Sequence, residues 1–225
     1  MDIENRLITT EEQGLLSRYR DDQGLVEKYK HPNGTWGNDD ATIKWAGSMI
    51  IFDKLAKKGM RVVDLGAGDG PLAHMIADRG YNVVGVDVKS WDFPYQSLAV
   101  MVTKDAIEFV REYEDNSVDI FIDCCAVTHF NDSGDEKTPN RGWRSIFEAV
   151  KRVMKPGGYF ICFSDIECAI STSIPCIGEF ILPEDIVRMA EESGLTLTSD
   201  YHYSRIDRFV HSDDLGVASF VFTKK

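Results

Sequence analysis

The 225-residue chain carries 25 basic and 37 acidic side chains, a formal net charge of −12. Phosphate backbones and anionic lipid repel such a chain, so bulk charge argues against nucleic acid and membrane surfaces as partners, a local basic patch apart. The apolar fraction of 43% and charged fraction of 28% exclude a disordered composition and suit one α/β domain with an extension.

No apolar run approaches the ~20 residues a membrane helix needs. The polar, acidic start Met1-Asp2-Ile3-Glu4-Asn5 does not read as a signal peptide. The cysteines are Cys124, Cys125, Cys162, Cys168 and Cys176, with no CxxC spacing. Adjacent Cys124 and Cys125 on a strand end would face opposite ways, which is poor for chelating zinc. Reduced thiols in a cytoplasmic protein are the expectation.

Residues 1–39 are polar and weakly patterned, and read as an extension that forms part of the cover over the acceptor site. The domain proper is then 40–225. Asp39 or Asp40 caps a helix through about Lys57, with Ile43, Ala46, Ile50 and Leu55 apolar, and Gly59 ends it. Arg61–Leu65 reads as a buried strand. Pro71–Arg79 reads as a helix with proline at its first position and Gly80 as its cap. Tyr81–Asp87 is a second strand and Leu98–Val102 a third, followed by a short helix from about Ala106. Val118–Asp123 is a fourth strand. Pro139–Met154 is a helix whose stripe is Trp143, Ile146, Phe147, Val150, Val153 and Met154. Lys155-Pro156-Gly157-Gly158 reads as a turn into a fifth strand, Tyr159–Phe163. Pro183–Ser193 is a last helix, and Leu195–Tyr203 and Val217–Phe222 are two late strands.

This alternation implies parallel strands with crossovers covered on both faces. No helix separates the last two strands, so they should pair antiparallel through a loop near Arg205–Gly216. The expected fold is α/β: a Rossmann-like, seven-stranded, mostly parallel sheet with helices on both faces and an antiparallel last strand.

The first strand runs straight into Gly66-Ala67-Gly68-Asp69-Gly70 and then a helix. Glycine is needed there because the chain turns sharply and a ligand must approach the backbone with no Cβ in the way. Asp87 ends the second strand, where a carboxylate can accept hydrogen bonds from both ribose hydroxyls of an adenosine ligand. A dinucleotide and S-adenosylmethionine (SAM) both fit that description. Three details favour SAM. The spacing is GxGxG with Pro71 following, Asp64 lies inside the first strand where it can face an ammonium, and the domain ends in the late-strand hairpin.

At this point the chain resembles the class I SAM-dependent methyltransferases, over about residues 60–225. Val62-Val63-Asp64-Leu65-Gly66-Ala67-Gly68-Asp69-Gly70 is similar to that family's first motif, and Val83-Val84-Gly85-Val86-Asp87 to its acidic strand end. The resemblance implies a cofactor site of Asp64, Gly66, Ala67, Gly68, Gly70, Asp87 and Val88. It adds Asp105 and Ala106 near the adenine, and Asp123 and Cys124 bordering the transferred methyl.

Methyl transfer needs a nucleophile in line about 3 Å from the methyl, and a hydroxyl acceptor also needs a base. Near the carboxyl ends of the fourth and fifth strands stand Asp123, His129, Asp132, Asp165 and Glu167. His129 is the expected general base, because imidazole titrates near neutral pH, and Asp123 is the second catalytic candidate. Asp123, Asn131, Asp132 and Asp165 could imitate the Mg²⁺ set of metal-dependent O-methyltransferases. That family has Asp followed directly by Asn, whereas this chain has Asn131-Asp132, so no metal is the expectation.

The reading is a SAM-dependent methyltransferase acting on a small-molecule hydroxyl, with S-adenosylhomocysteine as product, as a monomer or homodimer. Three alternatives stand beside it: N-methylation of a small molecule or protein, a nicotinamide-dependent oxidoreductase, and a SAM-binding partner protein without catalysis. The fourth-strand end, Asp123-Cys124-Cys125-Ala126, lacks the D/N-P-P-Y/F string of amino-methylating DNA enzymes.

Overall fold

The computed structural model describes residues 6–7, 39–90, 98–124, 126–127, 141–167, 183–198, 204–205 and 215–225. Among the described residues nine strands form one sheet: β1 (Arg6–Leu7), β2 (Arg61–Leu65), β3 (Asn82–Asp87), β4 (Val100–Thr103), β5 (Val118–Cys124), β6 (Met154–Glu167), β7 (Thr196–Leu197), β8 (Ser204–Arg205) and β9 (Leu215–Thr223). Five described helices cover it: α1 (Asp39–Leu55), α2 (Pro71–Asp78), α3 (Ala106–Arg111), α4 (Arg141–Val153) and α5 (Pro183–Glu192).

The sheet runs β1-β8-β9-β6-β5-β2-β3-β4, with β7 also on β9. Pairs among β2, β3, β4, β5 and β6 are parallel, whereas β9 is antiparallel to β6, β7 and β8. β7 and β8 share one flank of β9, at Thr196↔Thr223 and Ser204↔Ser219. Counting that flank once and setting β1 aside leaves the seven expected lanes. The two-residue β1 adds a lane that sequence patterning does not signal, pairing parallel with β8.

Strand order reverses at β2, which pairs with β3 on one side and β5 on the other. Open α/β sheets bind ligands outside the carboxyl ends of strands at such a point.

One face of the sheet, with Phe121, Phe160 and Phe222, packs on α3, α4 and α5. The helix stripe is as expected: Trp143, Ile146, Phe147, Val150 and Val153 are all buried. Phe147 is its centre, with ring centroids 5.4 Å from Trp143, 5.4 Å from Phe222 and 5.9 Å from Phe160. Burying such a ring contributes about 1.5–3 kcal/mol, so α4 is held by its stripe more than by helix propensity. The opposite face, with Ile120, Ile122 and Ile161, packs on α1 and α2.

Lys155–Gly158 differs from expectation in one respect. It does not precede the strand but bulges inside β6, where the register jumps between Val118 and Ile120. A Cβ on Gly158 would lie 2.7 Å from the Asp119 carbonyl oxygen, so only glycine passes there. Lys155 Nζ donates to both Asp119 carboxylate oxygens at 2.8 Å, fastening the bulge. Among the described residues no helix is long and apolar enough to cross a membrane.

Candidate cofactor site

The β2–α2 turn is built on backbone conformations that L side chains avoid. Gly66, Gly68 and Gly70 all have positive φ, at 65°, 57° and 86°. Three left-handed positions in alternation are the physical content of the GxGxG spacing. The turn is tied down by Ala67 N–H donating to the Val86 carbonyl at 2.9 Å and Gly70 N–H to the Ala67 carbonyl at 2.9 Å. A Cβ on Gly68 would meet nothing within 4 Å, so the turn opens onto space at its middle glycine.

Asp87 fixes the turn from β3. Its Oδ2 accepts from Gly68 N–H at 3.0 Å, and its Oδ1 from Lys89 N–H at 2.9 Å. A carboxylate oxygen accepts more than one hydrogen bond, so this anchor can also receive ligand hydroxyls. Val88, next along, is 69% exposed, an apolar side chain held beside the turn in solvent.

Asp64 lies one step before the turn and is 1% exposed. Its backbone pairs with Gly85 and Ile122, so its side chain points to the α2 face. Gly70, at the N-cap of α2, has no side chain to cap the helix, and Asp64 serves instead by accepting from Ala73 N–H. Its Oδ2 is buried with no hydrogen-bond partner. Burial pushes the carboxyl well above its ordinary value, the Asp123 and Asp87 charges push the same way, and the Ala73 hydrogen bond opposes them. The site therefore offers a concentration of acid that a cation would relieve.

Asp105 and Ala106 open α3. Asp105 is the N-cap, its Oδ1 accepting from Glu108 N–H at 2.9 Å, and Ala106 is buried. Asp105 is exposed and follows β4, whose Thr103 pairs with Asp87, so the two carboxylates lie at the same edge.

Asp123, at the end of β5, is 0% exposed. Its Oδ1 accepts from Ala126 N–H at 2.9 Å and Val127 N–H at 3.0 Å, and its Oδ2 accepts from the Cys162 thiol at 3.2 Å. Burial first, then the Asp123 charge and hydrogen bond, keep that thiol well above its ordinary range and protonated. The carboxylate thus straps the chain leaving β5. Cys124 is half-buried, a free thiol on the opposite face from Asp123. His129, Asn131 and Asp132 lie outside the described residues, as do the side chains of Asp165 and Glu167. Among the described residues no group of three or more His, Cys, Asp or Glu is placed to hold a metal.

The structure therefore gathers Asp64, Gly66, Ala67, Gly68, Gly70, Asp87, Val88 and Asp105 at the carboxyl edge of β2–β4, with Asp123 and Cys124 one strand over on β5. Sequence reasoning missed Cys162 and Met101. The first carries no local signal. The second is flagged by Gly85, since glycine inside a strand marks a close approach.

Residues 63–162 match the model of a family described as "Methyltransferase domain". Over that stretch the chain is similar to a methyltransferase domain. The match contains the glycine turn, Asp87, Asp105 and Asp123. The domain is 29% identical over 117 residues to the ribosomal RNA large subunit methyltransferase E of Desulfatibacillum aliphaticivorans, covering 48% of this chain and 56% of that protein. It is 23% identical over 164 residues to the ubiquinone biosynthesis O-methyltransferase of Dinoroseobacter shibae, covering 61% and 60%. This chain thus spans well under two thirds of either relative. Its fold is similar to the Burkholderia thailandensis 1,6-didemethyltoxoflavin-N1-methyltransferase, solved with that compound and S-adenosylhomocysteine. The TM-score is 0.61 at 16% identity, over 99% of this chain and 93% of that one.

Proposed function

We propose that the chain is a SAM-dependent methyltransferase that binds its cofactor across Gly66–Gly70 and methylates a hydroxyl of a small molecule. The observation that carries the proposal is the pairing of an open glycine turn with the buried, unpartnered Oδ2 of Asp64 beside it. A cationic adenosine ligand answers both features: its bulk fits where a Gly68 Cβ would project, and its ammonium neutralises the buried acid. When bound, SAM supplies a methyl on a sulfonium, open to in-line displacement.

The chain's own residues divide the remaining work. Asp87 holds the turn and receives the ribose hydroxyls. Asp105, Ala106 and Val88 border the adenine. Asp123 positions the segment leaving β5, and His129 takes the hydroxyl proton. The acidic surface supports a small molecule over a nucleic acid as acceptor, although one relative is named for ribosomal RNA. The register of β1 supports a role for the extension on the acceptor side. Ser204 lies level with Ser219, Phe163 and Cys124, and Arg6 pairs with Ser204, so β1 joins the sheet at the carboxyl end.

One observation favours a second reading, N-methylation. Both oxygens of Asp123 are engaged. An amine acceptor that binds as the free base needs positioning and no added base. The O-methylation reading keeps its base in His129.

Titration calorimetry of SAM and S-adenosylhomocysteine tests the first step, with micromolar affinity expected for both. Asp87→Ala removes the anchor on Gly68 and the ribose acceptor together, and should weaken both ligands at least tenfold, or about 1.4 kcal/mol. Absence of SAM binding by the wild-type chain overturns the proposal. A panel of hydroxyl and amine acceptors, read by S-adenosylhomocysteine release, then separates O- from N-transfer.

A further inference from the structure

The glycine turn rests on a side chain from a strand that is not part of it. β3 and β4 pair with Gly85 opposite Met101. A Cβ on Gly85 would lie 2.7 Å from both Cε and Sδ of Met101, and 3.0 Å from the Ala67 Cβ. A side chain at Gly85 would have to push the Met101 thioether aside and press on Ala67, so glycine leaves the groove that Met101 crosses. The same Met101 Cε would lie 3.1 Å from a Cβ on Gly70. One thioether therefore fills the space over Gly85 that Ala67 also borders, and reaches the N-cap of α2 at Gly70.

We infer that Met101 is a positioning residue that holds the Ala67–Gly70 turn in its ligand-binding form from beneath. The chemistry suits methionine. Its unbranched, flexible chain follows the groove that Gly85 leaves. The groove lies in the same cross-strand row as Asp64, which pairs with Gly85. Met101 thus shares a cross-strand row with the buried acid, with Gly85 between them. The N–H groups of Gly68 and Ala67 also tie the turn by donating to Asp87 and to the Val86 carbonyl. Without an apolar floor, glycine residues have the most freedom to leave left-handed conformations.

The consequence for cofactor affinity rests on the methyltransferase reading, whereas the effect on the turn does not. Met101→Ala should weaken S-adenosylhomocysteine on the order of tenfold, or about 1.4 kcal/mol. Met101→Leu should recover most of that loss. Gly85→Ala should also weaken binding, because the new Cβ displaces the thioether. In Met101→Ala/Gly85→Ala the loss should be smaller than the two single losses combined, since each change removes the other's conflict.

Amide hydrogen exchange at Gly68 and Gly70 in the ligand-free protein reads the turn directly. Exchange should quicken in Met101→Ala and return towards wild type in Met101→Leu. Val221→Ala, a cavity in the same core far along the sheet, should lower the melting temperature and leave both readouts unchanged. Wild-type exchange at both glycines in folded Met101→Ala overturns the inference, whether or not the protein binds SAM. So does strict additivity of the two substitutions. If Met101→Ala does not fold, Met101→Leu and Gly85→Ala carry the same test: wild-type exchange in Gly85→Ala overturns it.

Discussion

Asp123 separates two roles that a sequence cannot tell apart, a base in the active site and a strap beneath it. It is 0% exposed, and its Oδ1 accepts from the N–H groups of Ala126 and Val127. Asp123→Ala leaves both donors without that acceptor. A stranded buried donor costs about 1–3 kcal/mol, and the half-buried Ala126 N–H adds less than the buried Val127 N–H, so the pair amounts to roughly 2–4 kcal/mol. Against a native margin of about 5–15 kcal/mol this is a large share. For a chain of this size it lowers the melting temperature by roughly 4–16 °C. Asp123→Asn differs. The amide oxygen still accepts from both backbone donors, and among the described contacts the Cys162 thiol loses its acceptor, a contact worth about 1 kcal/mol or less. Calorimetric melting, calorimetric binding of S-adenosylhomocysteine and turnover on an accepted substrate would be measured on both variants. The strap role predicts that Asp123→Asn keeps its affinity and stays within a few-fold of wild-type kcat, while Asp123→Ala loses stability first. A base role predicts that Asp123→Asn folds and binds normally yet loses about 10²–10⁴-fold in kcat. That last result would refute the reasoning.

Asp64 makes the ligand-free protein sensitive to pH. Burial raises its carboxyl well above the ordinary 3.8, with Asp123 and Asp87 adding to the effect and the Ala73 N–H opposing it. The folded chain then keeps a proton that the unfolded chain releases, so this contribution is full below pH 3.8 and is lost as pH rises towards the raised value. Relative to wild type, Asp64→Asn should gain melting temperature with rising pH and bind SAM more weakly; a wild-type advantage that grows with pH contradicts this. Arg152 caps the end of α3, donating to the carbonyls of Val110 at 3.4 Å, Arg111 at 2.9 Å and Tyr113 at 3.0 Å and pairing with Asp115. Its side chain is 37% exposed, which reduces the effect, and Arg152→Ala should cost about 1–2 kcal/mol in urea unfolding. An unchanged urea midpoint would show that water replaces the cap at no loss.

The features that sequence reading recovered share a cause: each is a demand that the local backbone makes on its own residues. Gly66, Gly68 and Gly70 are legible because positive φ at 65°, 57° and 86° is tolerable only for glycine. Asp105 came only through the family resemblance, and the structure shows it at a helix start that needs a side-chain acceptor. The stripe on α4 is legible because burial repeats with the helix period. What sequence reading did not recover depends on which strand lies beside which. Gly85 announces a close approach, yet that Met101 makes it follows only from the β3–β4 register. Lys155–Gly158 has turn chemistry, yet whether it ends a strand or bulges inside one is decided by Asp119 opposite. Asp123 sits at a strand end that reads as catalytic, and only the packing of β5 on β6 reveals Cys162 against its second oxygen. The cofactor half of the site falls in the first class and the acceptor half in the second. A glycine turn works in any register so long as a strand precedes it and a helix follows. The proposed acceptor site rests on residues near the ends of β5 and β6, each with its own neighbours to find. Identical turns can therefore serve enzymes whose acceptors have nothing in common, and the acceptor must be sought in the side chains beyond Asp123.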